Sequence, residues 1–441
     1  MHFVRQFAGL ALLAGAAQAQ VPGTPSPADS VTPQAVAFPA DTIRLSRREA
    51  IAQALAHNPQ LEVARAQVGQ ARARKVEATA LPDPAGTASL DAQRRLFQSG
   101  SAGQKNVGVD MLIPFPNKLR LQGKAAQADV VSSELSYTQQ RQLIAAQTSE
   151  AYDSLLVALK HRADLTEAQN LARDFLAKTQ ARFNAGTAAK LDVIRATVTL
   201  AQASTDLLAN LLDVQTTSSA LERLVGRSQS EVVVPTDTLE VPSPLPSLES
   251  VVAAGLASRP ELASIQAQRA GARASTALAK QFWLPDLVLG VSRDYNQPAP
   301  ALFSTGLSFP IPIFFWQHTR GQIAEASFRE RELTATERDI VAAVTQDLRD
   351  SYANARVALQ QAVFIRDQLL PSARAAYRAA SASYSLGGSS ALDVLDARRS
   401  LLDAETQYAD ALAAANISLA ELERAVAVPL ASLQTGAPNA K

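Results

Sequence analysis

The second half of this 441-residue chain repeats the first at a nearly constant spacing, and no other feature limits the possible folds as much. Leu191-Asp192-Val193 returns as Leu392-Asp393-Val394, Leu221-Glu222-Arg223 as Leu422-Glu423-Arg424, and Gly186 as Gly387, each 201 residues on. Upstream, Asn58-Pro59-x-Leu61 answers Arg259-Pro260-x-Leu262. Leu81-Pro82-Asp83 answers Leu284-Pro285-Asp286, and Ile113-Pro114-Phe115-Pro116 answers Phe309-Pro310-Ile311-Pro312. The spacing drifts by a few residues, which places small insertions in loops. Solenoid repeats run to a few tens of residues, so this is a duplicated, domain-sized unit whose copies build equivalent parts of one object. The first copy spans 45–230 and the second 247–430, joined by a linker at 231–246 and followed by a flexible tail at 431–441.

The amino terminus indicates where that object resides. Arg5, an apolar run from Phe7 to Ala17, and Ala17-Gln18-Ala19 ahead of Gln20 read as a secretory signal peptide over residues 1–19. Residues 20–44, with Pro22, Pro25, Pro27, Pro33 and Pro39, read as an extended segment without a core of its own. The chain has no cysteine, which excludes disulfides and a lipid anchor on cysteine. No stretch after residue 19 offers eighteen consecutive apolar residues. A mature chain that enters a membrane must then do so by strands closed into a barrel.

Each copy has the same expected order of elements. A helix starts near Ser46, where Glu49 completes a capping box, and runs towards Ala80 with a break at Asn58-Pro59; its counterpart runs from Ser247 to Phe282. Two alternating segments follow each Leu-Pro-Asp. Leu287, Leu289 and Val291 oppose Gly290 and Ser292, and Phe303, Thr305, Leu307 and Phe309 oppose Ser304, Gly306 and Ser308. In the first copy Val107, Val109, Met111 and Ile113 oppose Gly108 and Asp110, with a weaker strand over Thr87 to Gln93. Four strands of about ten residues each suffice to cross an outer membrane; two soluble hairpins are the plainer alternative. After each Pro-x-Pro comes a very long helix, from Lys118 to Phe183 and from Gln317 to Tyr384, the second interrupted only at Pro371.

The helices after the glycines carry heptads. Val193, Leu200, Leu207, Val214 and Leu221 fall seven apart, as do Val394, Leu401, Tyr408, Ala415 and Leu422. Three residues after each stands a mostly small side chain, which lets helices approach closely as coiled-coil seams require. The composition agrees, since 47% hydrophobic content includes only 5% aromatic residues. Lys plus Arg (42) balances Asp plus Glu (41), against the basic excess of a nucleic-acid surface. His57, His161 and His318 are scattered, and no metalloprotease, nucleophile-elbow or phosphate-loop motif occurs. No catalytic, cofactor or metal-ligating residue is therefore assigned.

From Leu45 to Leu430 the chain resembles the TolC-type outer-membrane efflux proteins. The likeness rests on the duplicated order of helix, Leu-Pro-Asp, strand pair, Pro-x-Pro, long helix, glycine tip and Leu-Asp-Val helix. It rests also on the tips, Arg182-Phe183-Asn184-Ala185-Gly186 and Ser383-Tyr384-Ser385-Leu386-Gly387. Leu422-Glu423-Arg424-Ala425-Val426 and Leu119-Arg120-Leu121 resemble the heavy-metal, CzcC-like branch. The resemblance implies an α+β membrane protein of a Gram-negative outer membrane: a homotrimer whose four strands per chain form a shared 12-stranded barrel continuous with a periplasmic α-helical coiled-coil barrel. Two chains would give eight strands, a barrel filled by side chains, whereas twelve leave a lumen. The implied partners are outer-membrane lipid, a periplasmic adaptor and an inner-membrane pump of the RND type, with metal ions or drugs as cargo. A soluble periplasmic coiled-coil adaptor or scaffold is the alternative.

The resemblance also assigns the tips. Asp393 and Asp396, three apart on one helical face, match aspartates that ring the narrow periplasmic end. Their plainer role is helix capping. Tyr384 matches a tyrosine that bonds the aspartate of the other tip, here Asp192, and so holds the entrance shut. Ser389 stands where some members have an arginine that helps this latch. Gly186, Leu191, Gly387 and Leu392 are the expected adaptor-docking residues, although the glycines also end helices.

Overall fold

A computed structural model describes residues 41–91, 104–226, 231–296, 302–311 and 315–434. The signal peptide and most of the proline-rich segment lie outside these. The first copy comprises β1 (Asp41–Leu45), α1 (Arg47–His57), α2 (Pro59–Thr79), β2 (Ala85–Asp91), β3 (Gln104–Ile113), α3 (Lys118–Asn184) and α4 (Lys190–Val225). The second comprises β4 (Glu231–Pro235), α5 (Leu248–Ser258), α6 (Pro260–Lys280), β5 (Leu287–Asn296), β6 (Leu302–Ser308) and α7 (Phe315–Phe364). It continues through a π-helical turn at Ile365–Leu369 to α8 (Leu370–Ser385), α9 (Ala391–Val426) and α10 (Leu430–Gln434).

The repeat extends to individual hydrogen bonds. Ser46 caps α1 in a capping box, its N–H donating to Glu49 Oε2 at 2.8 Å, and Ser247 caps α5. Asn58 ends α1 and caps α2, because Pro59 has no N–H to continue the first helix. Its buried Nδ2 donates to the Leu224 carbonyl at 3.0 Å; 201 residues on, Arg259 Nε donates to the Ala425 carbonyl at 2.5 Å. Tyr152 Oη donates to the Leu45 carbonyl at 2.9 Å, and Tyr352 Oη to the Pro246 carbonyl at 3.1 Å. Gly226 and Ala427 occupy matching left-handed positions, φ +75° and +64°, after α4 and α9.

One difference between the copies is informative. Ala158-Leu159 matches Ala358-Leu359 at a spacing of 200, but Ala172-Arg173 matches Ala373-Arg374 at 201. Burial follows the same register: Ile144, Leu155 and Ala158 are buried, as are Val344, Ala355 and Ala358, and beyond the step Ala172 and Ala373 are both buried. The second copy has gained one residue between these points, and the π-helical turn lies there. A π-turn takes up one extra residue without rotating the helix beyond it. The expected interruption at Pro371 thus falls at Ile365–Leu369, just before the proline, whose missing N–H leaves the preceding turn free to widen.

The linker and tail are more structured than expected. Residues 231–235 form β4, which pairs in parallel with β1, Asp41 opposite Glu231 and Leu45 opposite Pro235. Leu45 and Val233 are buried in a cluster with Tyr152, Leu155, Leu221 and Val225. The first residues of the tail form α10, and 435–441 lie outside the described residues.

The four remaining strands form one antiparallel sheet in the order β2-β3-β5-β6, Val109 opposite Val291 and Leu289 opposite Leu307. Pleating puts Val107, Val109, Met111, Leu289, Val291, Phe303 and Leu307 on one face. Val291 is 54% and Phe303 73% exposed. The other face carries Gly108, Asp110, Gly290, Ser292, Ser304 and Gly306. There Asn106 Nδ2 donates to Asp294 Oδ1 at 2.6 Å, and Ser304 Oγ donates to Asp294 Oδ2 at 2.6 Å. Near the end of the apolar face the Arg293 guanidinium lies 5.1 Å from the Tyr295 ring centroid and 5.3 Å from that of Phe303. Among the described residues no helix is long and apolar enough to cross a membrane.

Candidate functional site

The two helical hairpins, α3 with α4 and α8 with α9, end in tips that pack against each other. Both turns are built by glycine. Gly186 (φ +74°) and Gly387 (φ +80°) adopt the left-handed conformation that closes a helix. Thr187 N–H then reaches back to the Arg182 carbonyl at 2.9 Å, and Gly388 N–H to the Ser383 carbonyl at 2.8 Å. The tips join through a buried cluster of Phe175, Ala196, Tyr384, Ala391 and Val394. Ala196 on α4 and Val394 on α9 belong to the heptad seams, so the seam pattern leads directly to the tip contact.

Tyr384 is the centre of that contact, with partners other than those expected. Its ring lies 5.5 Å from the Phe175 ring, and its hydroxyl is 3.3 Å from Thr179 Oγ1. The Arg182 guanidinium sits 4.4 Å from the Tyr384 ring centroid, while Nη1 donates to the Tyr384 carbonyl at 2.6 Å. The expected bond from Tyr384 to Asp192 is not made within the chain. Asp192 instead turns back on its own helix, Oδ2 accepting the Ala189 N–H at 3.4 Å, while Tyr384 is buried facing α3. Ser389, in the place of the absent arginine, donates from Oγ to the Ala380 carbonyl at 3.1 Å and ties its own turn down. The arginine that does meet Tyr384 is Arg182, supplied by the other tip.

The two aspartates in the first turns of α9 differ. Asp393 closes a capping box: Oδ2 accepts the Ser390 N–H at 2.8 Å and the Ser390 hydroxyl at 2.9 Å, and Asp393 N–H returns a bond to Ser390 Oγ at 3.2 Å. The backbone bond from Ser390, followed by the hydroxyl, lowers its pKa and keeps it ionised. Asp396, one turn on, is exposed and makes no side-chain hydrogen bond or ion pair with a described residue. Leu191, Leu386 and Leu392 are exposed at the ends of the tips, Leu386 at 88%. A Cβ added at Gly186 or Gly387 would meet no atom within 4 Å, so the space beyond both turns is open.

Sequence reasoning missed Arg398. It is buried on α9, with Nη2 donating to the Ala168 carbonyl of α3 at 2.5 Å and no carboxylate partner among the described residues; burial lowers its pKa. Its counterpart on α4 is Thr197, and this departure from the repeat was the available signal.

The family described as outer membrane efflux protein matches residues 50–227 and again 251–428, two segments also 201 residues apart. The cobalt-zinc-cadmium resistance protein CzcC of Cupriavidus metallidurans is 23% identical over 386 residues, covering 86% of this chain and 90% of that protein. The pyoverdine export outer membrane protein OpmQ of Pseudomonas putida is 27% identical over 398 residues, covering 83% and 81%. Among solved structures, CusC superposes with a TM-score of 0.73 at 18% identity, covering 88% of this chain and 93% of that one. The outer-membrane channel OprN gives 0.71 at 19% identity, covering 86% and 89%. The chain belongs to the outer membrane efflux protein family and serves as an outer-membrane channel of a tripartite efflux system.

Proposed function

We propose that three copies of the chain form one exit duct, a 12-stranded barrel in the outer membrane above a ring of six helical hairpins in the periplasm. One observation carries this reading: faces that are buried in one copy are exposed and apolar in the other. On α9, Ala409 and Ala413 are buried on the side that carries Arg398 to α3. Their counterparts on α4, Leu208 and Leu212, are 54% and 63% exposed, in line with exposed Leu191, Ile194 and Val198. The reciprocal face shows the same. Asp164 and Ala168 on α3 are buried, while their counterparts Phe364 and Leu369 are exposed. One chain thus carries both halves of a second interface like its internal one, a head-to-tail arrangement that closes into a ring. The strand count selects three chains, since eight strands would leave no lumen. The apolar sheet face meets lipid, with Arg293, Tyr295 and Phe303 at its edge in the manner of an interfacial girdle.

In this assembly the tips form the entrance. Tyr384 holds the second tip to the first, Asp393, Asp396 and Asp192 line the opening with negative charge, and Gly186, Leu191, Gly387 and Leu392 meet the periplasmic adaptor, which links the duct to an inner-membrane pump of the RND type. Cargo is a metal ion or a small organic molecule, the classes named for CzcC and OpmQ. A ring of carboxylates in a constriction focuses the field on the pathway. Conductance in a planar bilayer is therefore cation-selective and blocked by multivalent cations, and Asp393→Asn with Asp396→Asn removes most of the block. Undiminished block in the double variant refutes the gate. Native mass spectrometry in detergent that finds only monomer refutes the trimer.

A further inference from the structure

The base of the four-stranded sheet holds a contact that the chain completes only once. Asp286 Oδ1 accepts the Phe115 backbone N–H at 2.7 Å and the Lys118 ammonium at 2.8 Å. Lys118 Nζ also donates to the Leu284 carbonyl at 2.8 Å and lies 5.5 Å from the Phe282 ring centroid. The second copy's Leu-Pro-Asp is thereby fastened to the first copy's Pro-x-Pro, where β3 ends beside the start of β5.

Both motifs occur twice, and the other pair is left open. Leu81-Pro82-Asp83 leads into β2, and Phe309-Pro310-Ile311 leads out of β6; β2 and β6 are the two free edges of the sheet. The strands alternate in direction, so the end of β6 and the start of β2 lie at the same end of the sheet as the existing staple. A β6 edge placed beside the β2 edge of another copy is antiparallel, as every other pair in the sheet is. Asp83 is exposed and makes no hydrogen bond or ion pair with a described residue. Ile311 is 71% exposed, and its N–H meets no described acceptor.

We propose that the Asp83 carboxylate accepts the backbone N–H of Ile311 of the partner subunit, repeating between chains the backbone half of the staple that Asp286 makes within one; Phe314 stands where the first copy has Lys118. The occupant of the open edge is a second copy of this chain, and the proposal rests on the ring assembly described above. Its consequence is positional. The staple fixes the height at which one chain's β6 meets the next chain's β2, because a carboxylate has only a short reach. It also ties that seam to the turn from which the long helix descends, so the barrel and the helical ring keep one register.

The chain has no cysteine, so thiols can be placed without background. Full-length protein carrying Asp83→Cys and Ile311→Cys, treated in outer membranes with a short bis-maleimide, which takes one thiol at each end, gives covalent dimers and trimers on a denaturing gel, and each single variant gives monomers only. In parallel, Asp83→Ala lowers the temperature at which the detergent-solubilised trimer dissociates by several degrees, whereas Asp129→Ala, on an exposed stretch of α3, does not. Trimers captured by an amine reagent, without a thiol link in the double variant and with an unshifted Asp83→Ala trimer, overturn the staple and leave the trimer standing. Failure to capture trimers with either reagent overturns both.

Discussion

Breaking the Arg182–Tyr384 contact should open the periplasmic entrance, and its size can be worked from the geometry. Arg182 does two things at once: its guanidinium stacks 4.4 Å from the Tyr384 ring centroid and Nη1 donates to the Tyr384 carbonyl at 2.6 Å. A cation over an aromatic face contributes about 0.5–1 kcal/mol when exposed and about 2 when dry. A charged hydrogen bond contributes about 1.5–3 kcal/mol. Arg182 is half-buried, so the low end of both ranges applies, and Arg182→Ala should weaken the tip contact by about 2 kcal/mol. With about 1.4 kcal/mol per decade, the open-to-closed ratio rises roughly 30-fold. Tyr384→Phe removes only the hydroxyl 3.3 Å from Thr179, which keeps its own bond to the Phe175 carbonyl at 2.8 Å. The expected loss is below about 1 kcal/mol, under a roughly fivefold change. Single-channel open probability measures both, with circular dichroism confirming that the helices persist. An Arg182→Ala channel as closed as the parent, or a Tyr384→Phe channel more open than Arg182→Ala, refutes this account of the latch.

Three further outcomes follow from particular residues. Asp153 is fully buried against Arg47 and its pKa is raised to about 6, chiefly by desolvation; the unfolded chain releases that proton near 3.8, so this group's stabilisation is complete below pH 3.8 and lost as pH rises through 6. Asp153→Asn should flatten that part of the thermal-midpoint profile and hold or raise the midpoint at pH 7.5, because Arg47 is exposed enough to hydrate; a midpoint several degrees lower there contradicts it. Deleting Gln368 should return the π-turn to an α-turn and preserve the trimer, whereas deleting Asn170 from the unbulged α3 turns everything beyond it by about 100° and should collapse the tip. Equal damage from both deletions shows that the extra residue is not absorbed locally. A Cβ at Gly387 meets no atom within 4 Å, but Gly387→Val forces a β-branched residue to φ +80°, a local cost of about 1–2 kcal/mol, so export should fall while trimer and membrane insertion persist; loss of the trimer makes the glycine structural only.

What could be read from the sequence follows from the range of the forces involved. Ser46 with Glu49, the Asn58-Pro59 break and the glycine turns are set by residues within a turn of each other and occur at their expected places; the alternating strands follow within a few residues of theirs, and Gln93 of the weakest lies outside the described residues. The heptads also persist, with Val214 and Leu221 buried on α4 and Val394, Leu401 and Leu422 buried on α9, because a seam repeats its own signal. Arg182 and Tyr384 lie some two hundred residues apart and meet because two hairpins pack side by side, which no local pattern records. Within the chain Tyr384 has partners other than Asp192 for a related reason. An aspartate three residues into a helix has backbone donors at hand, and Asp192 takes the Ala189 N–H without needing the distant hydroxyl.

The repeat itself held more than motif matching drew from it. Once two copies are aligned, each departure from equivalence marks a place where their surroundings differ. The step from 200 to 201 locates the π-turn, Thr197 against Arg398 marks the side on which α9 has a partner within the chain and α4 has none, and Leu208 against Ala409 says the same in apolar area. A duplicated chain that closed on itself would bury both faces alike. This one leaves the outer face of α4 and the Phe364 face uncovered, and it keeps two free strand edges, the start of β2 and the end of β6 lying at the same end of the sheet as Asp83, which has no partner among the described residues. Apolar faces in the periplasm and open edges in a bilayer are both unfavourable. The proposed ring covers both at once, with another copy in the next position.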